Sequence, residues 1–490
     1  MQKKVGLFLG PLLFFIIDGL TPFEGLSVAG HAVLATTAWV AIWWITEALP
    51  IAATALLPIV LFPLSGGLAL ATTTAAYGHK YVFLYMGGFI IAIAIERWNL
   101  HRRIAINIIA FIGSDIRKII LGFMVATAFL SMWISNTATS VMMLPIGIAI
   151  IKQLKDNPET AADENLIFGK ALMLAIAYSA SIGGIATLIG TPPNLVLAGV
   201  ILETYQYEIS FLQWFLFGFP IALLLLYLCW VYLTRYAFRF EQKEFPGGRT
   251  EIARLKNGLG KLSYEERMVA LVFALTAFCW ISRSFLLQLF LPQLDDTIIA
   301  IVFSLVLFVI PTKDRKGMLM TWESAVQLPW GIILLFGGGM ALAKAFDTSG
   351  LAVWLGQQMT AFGNLPLFVL LLLLVAAVNF LTEITSNLAT TAMMLPVLAP
   401  LALEVGVHPF GLMVGAAVAA SCAYMLPVAT PPNAVVFGSG YLRIPDMVSK
   451  GFVMNLVSIL IISIFIYLLL PLLWNIDLTA FPKELITARD

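Results

Sequence analysis

Two short polar motifs, each present twice, hold the residues of this chain that are best suited to bind ions. Ser-Asn-Thr at 135–137 recurs as Ser-Asn-Leu at 386–388. Thr-Pro-Pro-Asn at 191–194 recurs at 430–433. Their hydroxyl and amide oxygens can bind a cation, and their N–H and O–H groups can bind an anion. None of the four segments contains Lys, Arg or His, and the sequence shows no nucleophile–base pair or metal-binding cluster that would indicate an enzyme.

The Thr-Pro-Pro-Asn motifs predict breaks in helices. Each proline lacks an N–H and pushes the preceding residue out of the helical conformation. Inside a membrane such a break costs several kcal/mol per unsatisfied group unless it lines a cavity or is buried in protein. The break frees the carbonyls of Gly190 and Ala429, and hard cations such as sodium prefer oxygen ligands. Ser135, Asn136 and Asn387 can add side-chain oxygens.

The two Ser-Asn tips are expected to begin helices, whose free N–H groups and positive dipole end attract a carboxylate. The amides of the asparagines and the Thr137 hydroxyl can donate further hydrogen bonds. Two such tips, one in each half, suit a substrate with two carboxylates. Because the tips contain no Lys or Arg, bound cations would have to balance the charge of that substrate, which favours symport.

The composition identifies the elements that position these motifs. The chain has 490 residues, of which 60% are hydrophobic and 11% are charged, whereas about 25% are charged in an average soluble protein. Apolar runs of about 20 residues, enough to span a bilayer, recur along the chain. We therefore predict an all-α polytopic membrane protein with about 11 transmembrane helices plus two re-entrant hairpins.

Other compositional features exclude alternative functions. The three cysteines and four histidines are scattered and form no CxxC or zinc pattern, and the net charge of +1 does not indicate nucleic-acid binding. A channel is disfavoured because paired hairpins with matched cation and anion ligands are a poor design for a continuous pore.

A repeat organises the chain, because both motifs recur in the same order and Gly-Gly at 87–88 recurs at 337–338. The predicted organisation is a first transmembrane helix at 1–27, a first repeat at 28–236 with a hairpin at 121–151 and a broken helix at 168–203, a cytoplasmic linker at 237–267, a second repeat at 268–475 with a hairpin at 366–404 and a broken helix at 409–440, and an extracytoplasmic tail at 476–490.

The loops predict the orientation, because the clusters of Lys and Arg fall on one side when about eleven spans are threaded through the chain. The positive-inside rule makes that side cytoplasmic, with the N-terminus inside and the C-terminus outside. The two repeats are then inverted relative to each other. Inverted repeats with broken helices in corresponding places are a sequence indication of a secondary-transporter binding site.

Two Ser-Asn tips, each followed by a Thr-Pro-Pro loop in an inverted repeat, resemble the divalent anion/sodium symporter family of bacterial and animal di- and tricarboxylate carriers. The resemblance covers essentially the full chain. It implies a homodimer in the lipid of a bacterial inner membrane. Each protomer would have a scaffold part and a mobile transport part that holds both hairpins and moves like an elevator.

The resemblance also implies a set of site residues and no organic cofactor. One sodium site would use Ser131, Ser135, Asn136 and the Gly190 carbonyl, a second would use Thr382, Thr385, Asn387 and the Ala429 carbonyl, and the substrate would contact Asn136, Thr137, Thr191 and Pro192 from one half and Asn387, Leu388, Thr430 and Pro431 from the other.

Leu388 departs from this family pattern, because it stands where the pattern has threonine and removes one hydroxyl donor. The predicted function is sodium-coupled symport of C4-dicarboxylates such as succinate, malate and fumarate. A sodium-independent dicarboxylate exchanger and a citrate or sulfate carrier remain alternatives on the same scaffold. Glu383 is a candidate proton carrier, but a structural hydrogen-bonding role is favoured for it.

Overall fold

The computed structural model describes residues 2–113, 115–153, 163–240, 248–358, 365–482 and 484–487. Within these ranges the chain is helical apart from its connecting segments and one isolated β-bridge. The first helices are α1 (Gln2–Asp18), α2 (Val28–Thr46), α3 (Ile51–Thr54), α4 (Leu57–Ser65), α5 (Leu70–Ala76), α6 (Lys80–Arg97) and α7 (Leu100–Ile112).

The predicted first hairpin and broken helix are each formed by two helices. These helices and the one that follows are α8 (Ile116–Ser131), α9 (Asn136–Ile151), α10 (Glu164–Ile185), α11 (Pro192–Tyr205) and α12 (Phe211–Val231), the last continued by a π-helical turn at Tyr232–Ala237.

The second half repeats this order after a short helix and ends with a helix in the tail. Its helices are α13 (Gly248–Asn257), α14 (Tyr264–Ser282), α15 (Asp296–Val309), α16 (Trp322–Ala325), α17 (Trp330–Thr348), α18 (Leu351–Gln357), α19 (Leu367–Leu381), α20 (Asn387–Val405), α21 (Pro409–Ala420), α22 (Pro431–Phe437), α23 (Ile444–Trp474) and α24 (Glu484–Thr487), with a 3₁₀ turn at Leu287–Leu289.

The helices that matter for function form two sets that pack together. Helices α8–α12 and α19–α23, which carry both tips and both breaks, contact one another extensively and are called the site bundle below. Helices α2–α6, α14, α15 and α17 are called the flanking group. Helix α17 also packs against α11 and α20, so it forms much of the boundary between the two sets.

Gly87 explains one of the close contacts within the flanking group. A Cβ atom at this position of α6 would lie 2.7 Å from the Cβ of Ala300 and 2.8 Å from its carbonyl carbon. Because no side chain fits in that space, glycine allows α6 and α15 to pack with their backbones almost in contact. The repeated Gly-Gly pair therefore has a packing role at its first occurrence.

The predicted linker at 237–267 differs from the structure, since it is not simply a solvated segment. Residues 248–257 form α13, which packs against α7, and Ile252 is buried. Helix α14 begins at Tyr264, inside the predicted linker, because Ser263 and Glu266 form a capping box there. Residues 241–247 lie outside the described residues.

Seven helical spans of the described chain are long and apolar enough to cross a membrane, and further apolar helices such as α15 and α19 are shorter. The sequence analysis predicted about 11 spans. Some of the apolar runs that it counted are divided into shorter helices in the structure. The predicted tail at 476–490 begins with a packed segment, since Leu478 is buried and its carbonyl accepts a hydrogen bond from His408 N–H at 3.2 Å.

Candidate functional site

The two tips begin helices at the predicted residues. Helix α9 begins at Asn136, directly after the turn that joins it to α8, and α20 begins at Asn387. The hydroxyl oxygen of Ser135 accepts the N–H of Ala138 at 3.2 Å, as N-cap serines do. The side chain of Ser386 makes no such bond. Each tip therefore presents the N-terminal N–H groups of a helix of at least 16 residues.

The two breaks lie where the prolines predict them, but they differ in length. Helix α10 ends at Ile185 and α11 begins at Pro192, whereas α21 ends at Ala420 and α22 begins at Pro431. Thr191 and Thr430 both have extended backbones, with φ of −141°. The second break, at residues 421–430, is therefore longer than the first, at residues 186–191.

In the first half the tip and the break form a cluster of oxygen atoms. The hydroxyl oxygen of Ser131 lies 2.6 Å from Asn136 Oδ1 and 2.7 Å from the carbonyl oxygen of Ala180. A hydroxyl has one proton, so it can donate to only one of them. A Cβ placed on Gly184 would lie 2.8 Å from Asn136 Oδ1 and 3.1 Å from the carbonyl oxygen of Gly190, so these two oxygens face the same point.

The second half contains the same arrangement. The hydroxyl oxygen of Thr382 lies 2.8 Å from Asn387 Oδ1 and 2.9 Å from the carbonyl oxygen of Ala420. In each half, then, a buried hydroxyl, an amide oxygen and a carbonyl oxygen converge. Hard cations take oxygen ligands of this kind. Both clusters consist of neutral oxygen atoms. Elsewhere among the described residues, no group of three His, Cys, Asp or Glu side chains could bind a metal.

The structure shows other contacts for the remaining predicted sodium ligands, Ser135, Thr385 and Ala429. The Ser135 hydroxyl caps α9, as described above. The Thr385 hydroxyl donates to the carbonyl of Leu381 at 2.9 Å and also contacts the hydroxyl of Thr390, so its hydrogen bonds lie within its own hairpin. Ala429 lines the cavity described next and is buried.

A cavity of about 640 Å³ lies between the two tips and the two breaks. All eight residues that the sequence predicted as substrate contacts line it, namely Asn136, Thr137, Thr191, Pro192, Asn387, Leu388, Thr430 and Pro431. The first residues of both tip helices therefore line one space large enough for a small dicarboxylate.

The cavity has an exposed end and a buried end. Its lining includes Glu47, whose side chain is 52% exposed, at the end of α2. Along α17 the lining runs from exposed Gly331 to buried Leu335. The exposed end is called the Glu47 end below.

The two sides of the cavity differ in polarity. Thr137 is exposed at the first tip, whereas Leu388 is buried at the second. Val428, on the same side as Leu388, is 80% exposed in the loop of the second break. The second half thus offers an apolar surface where the first half offers a hydroxyl.

Two asparagines that the sequence analysis left without a role hold the broken backbones in place. The Asn194 amide donates to the carbonyls of Gly184 at 3.2 Å and Thr187 at 2.8 Å. The Asn433 amide makes the equivalent bonds in the second half, to Ala423 at 3.2 Å and Leu426 at 3.0 Å. The sequence did contain an indication of this role, because Asn194 and Asn433 are the last residues of the repeated Thr-Pro-Pro-Asn motif.

Glu383 stabilises the longer second break. Its Oε1 accepts the N–H groups of Tyr424 at 2.7 Å and Met425 at 2.9 Å, and its Oε2 accepts that of Leu426 at 3.0 Å. The amide of Asn455 donates to Oε1 at 2.8 Å. These four donors satisfy a carboxylate that is 3% exposed, which confirms the structural role favoured from the sequence.

Glu383→Gln is expected to destabilise the folded protein by about 1–3 kcal/mol, because an amide N–H₂ would replace one oxygen and leave a buried N–H without an acceptor. A lower thermal unfolding temperature of the purified protein would show this. Glu404→Gln, at an exposed position of α20, removes the same charge and serves as the control. Equal unfolding temperatures of the two variants would contradict the structural role.

Comparisons with known proteins give a consistent result. The family model described as the sodium:sulfate symporter transmembrane region matches residues 2–476. The chain is 49% identical to the sodium-dependent dicarboxylate transporter SdcS of Staphylococcus saprophyticus, over 97% of this chain and 93% of that protein. It is equally similar to SdcS of Staphylococcus aureus strain USA300, with 49% identity over the same shares of both chains.

Two solved structures share the fold at low sequence identity. The MtrF protein of Neisseria gonorrhoeae matches with a TM-score of 0.55 and 11% identity, over 92% of this chain and 96% of that one. The YdaH transporter of Alcanivorax borkumensis matches with a TM-score of 0.56 and 14% identity, over 91% of this chain and 99% of that one.

Proposed function

The chain belongs to the sodium:sulfate symporter family, and on that premise we propose that it is a sodium-coupled symporter of C4-dicarboxylates such as succinate, malate and fumarate. It is an integral membrane transporter and not an enzyme. The observation that carries the proposal is the pair of matched oxygen clusters beside one cavity that both helix tips face. The names of the SdcS relatives support the same substrate class and the same coupling ion.

Coupling follows from the position of the two tip asparagines. In this proposal the Oδ1 atoms of Asn136 and Asn387 bind sodium, while their amide N–H₂ groups face the cavity and bind the substrate carboxylates. A bound cation fixes the orientation of each amide and offsets the negative charge of the substrate. Neither ligand site is therefore complete without the other, which favours symport over uniport.

The remaining predictions extend this proposal. The protein is placed in the inner membrane of a bacterium with its N-terminus in the cytoplasm and its C-terminus outside, and it acts as a homodimer surrounded by lipid. The site bundle acts as the mobile transport part, and the flanking group belongs to the scaffold. Movement of the site bundle relative to the scaffold exposes the cavity to each side of the membrane in turn, as an elevator does.

Uptake of labelled succinate into proteoliposomes tests the function. An inward sodium gradient is expected to drive accumulation, and replacement of sodium by potassium is expected to abolish it. Uptake that is equal in both cations and is stimulated by internal dicarboxylate would instead identify an exchanger. Uptake of citrate or sulfate without uptake of succinate would overturn the substrate assignment.

Leu388→Thr is expected to alter substrate preference while transport continues. The new hydroxyl adds a donor beside one carboxylate, and one such hydrogen bond contributes about 0.5–1.5 kcal/mol, or roughly twofold to tenfold in affinity. Competition of succinate uptake by malate, fumarate and citrate measures the change. Leu388→Val has nearly the same shape as the threonine variant without the hydroxyl, so identical competition profiles of these two variants would contradict the prediction.

A further inference from the structure

At one end of the molecule, ion pairs join the site bundle to the flanking group. Glu203 on α11 contacts Lys344 on α17, with 2.7 Å between Oε1 and Nζ. Glu208, in the loop between α11 and α12, accepts a hydrogen bond from the Arg283 guanidinium at 2.8 Å. It also lies 3.2 Å from the ammonium group of Lys80. Both acids thus belong to the site bundle and all three bases to the flanking group.

These pairs lie at the end opposite the exposed mouth of the cavity. Helix α17 contributes Gly331 to the mouth and Lys344 to the ion pairs, and about 20 Å of helix separates these residues at 1.5 Å per residue. Lys80 is the first residue of α6 and Arg283 directly follows α14. This end is called the Lys80 end below.

The other ion pairs that the structure describes do not join the two sets of helices. Lys170 and Asp446 link α10 to α23, both of which belong to the site bundle. Arg103 and Glu266 link α7 to α14. Three further pairs link α1 to α2 or neighbouring residues of one segment. Of the ion pairs named here among the described residues, those that join the two sets of helices lie at the Lys80 end.

Two of these bases, Lys80 and Arg283, have a second acidic partner in the flanking group. Lys80 also contacts Asp295 at 2.8 Å, and Arg283 lies 3.4 Å from Asp296. Arg283 is only 5% exposed, so it would be a costly lone charge if Glu208 were its sole partner. Because Asp296 lies beside Arg283, the guanidinium keeps an acidic partner when Glu208 moves away.

The loop that carries Glu208 makes neutral contacts with the same group. Asp296 Oδ2 accepts the N–H of Phe211, the first residue of α12, at 2.8 Å. The Tyr81 hydroxyl donates to the carbonyl of Ile209 at 3.4 Å. The whole connection between α11 and α12 is therefore held against α6 and α15 in the conformation described here.

We infer that Glu203 and Glu208, with Lys344, Lys80 and Arg283, form an ionic latch that closes the cavity at the Lys80 end and breaks when the site bundle moves. The inference rests on the proposed two-sided exposure of the cavity. The acids travel with the site bundle and leave their partners, while Lys80 keeps Asp295 and Arg283 keeps Asp296. Weakening the latch therefore shifts the protein toward the conformation that is open at the Lys80 end.

Thiol labelling from each side of the membrane tests the latch without measuring transport. The reporter is Val428→Cys in a Cys279→Ser background, since Val428 is exposed in the cavity and the other cysteines, Cys229 and Cys422, are buried. An impermeant maleimide is added to either face of oriented vesicles. The quantity measured is the ratio of the labelling rate from the Lys80 end to the rate from the Glu47 end.

Lys344→Gln is expected to raise this ratio by about threefold, as for the loss of one partly exposed ion pair. Glu208→Gln is expected to raise it by about tenfold, because it weakens a charge-assisted bond to a buried guanidinium. Lys170→Gln is the matched control, since its pair with Asp446 has similar length and exposure but lies within the site bundle. It should leave the ratio unchanged.

Charge exchange separates the latch from a general loss of stability. Glu203→Lys alone should raise the ratio, and adding Lys344→Glu should return it toward the parent value. A ratio that stays at the parent value in Glu208→Gln, or a double variant that is no closer to the parent than Glu203→Lys, would overturn the latch. If the proposed function were wrong, the parent would fail to accumulate succinate with sodium, while the labelling ratios would still decide the latch.

Discussion

Asn136→Ala and Asn387→Ala are each expected to abolish sodium-driven succinate uptake, lowering its initial rate by at least about a hundredfold. Each asparagine lies 2.6–2.8 Å from the hydroxyl of an oxygen cluster and also lines the cavity. Truncation removes a cation ligand and a substrate donor together, and each such loss to a charged partner is worth about 1.5–3 kcal/mol. Initial uptake rates in proteoliposomes measure the effect.

Thermal unfolding provides the control for folding in these variants. Sodium that binds only the folded protein raises its unfolding temperature, so the parent should be more stable in sodium chloride than in potassium chloride. The alanine variants should unfold cooperatively but lose most of this difference. Asn136→Asp keeps the Oδ1 oxygen and loses the amide donor, so it should retain stabilisation by sodium without uptake. Normal uptake by either alanine variant would refute its assignment to the site.

Gly184→Ala is expected to lower the apparent affinity for sodium by about tenfold to a hundredfold. The added methyl group would lie 2.8 Å from Asn136 Oδ1 and 3.1 Å from the Gly190 carbonyl oxygen, so it would occupy the space between two predicted ligands. Overpacking of this kind costs about 1–3 kcal/mol. The sodium dependence of succinate uptake at saturating substrate measures it.

Two positions serve as controls for the Gly184 prediction. Ala423 makes the equivalent backbone contact in the second half, where a methyl group is already tolerated, so Ala423→Gly should leave the sodium dependence nearly unchanged. Gly88→Ala adds a methyl group at an ordinary 3.7 Å from Ile189. If Gly184→Ala behaved like Gly88→Ala, the first cluster would not be the sodium site.

The tips and breaks could be predicted from sequence because their causes are local. Pro192 and Pro431 begin helices since proline cannot continue one from the preceding turn. Asn136 and Asn387 begin helices after a serine, a residue favoured at the N-cap position. The repetition of both motifs then indicated that they belong to one site, and the structure brings them to one cavity.

Features that depend on distant residues could not be predicted in this way. The second break extends from 421 to 430 because Glu383, in the turn between α19 and α20, accepts the N–H groups that a continuing helix would have used. The local sequence of this break therefore does not predict its length. The sequence also did not predict that the carbonyls of Ala180 and Ala420 belong to the oxygen clusters, because every residue has a backbone carbonyl and its type gives no indication.

The two sides of the cavity, one from each half of the chain, differ in chemical character. Thr137 places a hydroxyl on one side and Leu388 an isobutyl group on the other. Succinate has identical ends, so its two orientations in the proposed substrate site would be equivalent. Malate carries a hydroxyl nearer one carboxylate, so its two orientations are inequivalent in this cavity. If malate binds between the two tips as proposed, its two enantiomers would present that hydroxyl to different walls of the cavity and would be expected to bind with different affinities.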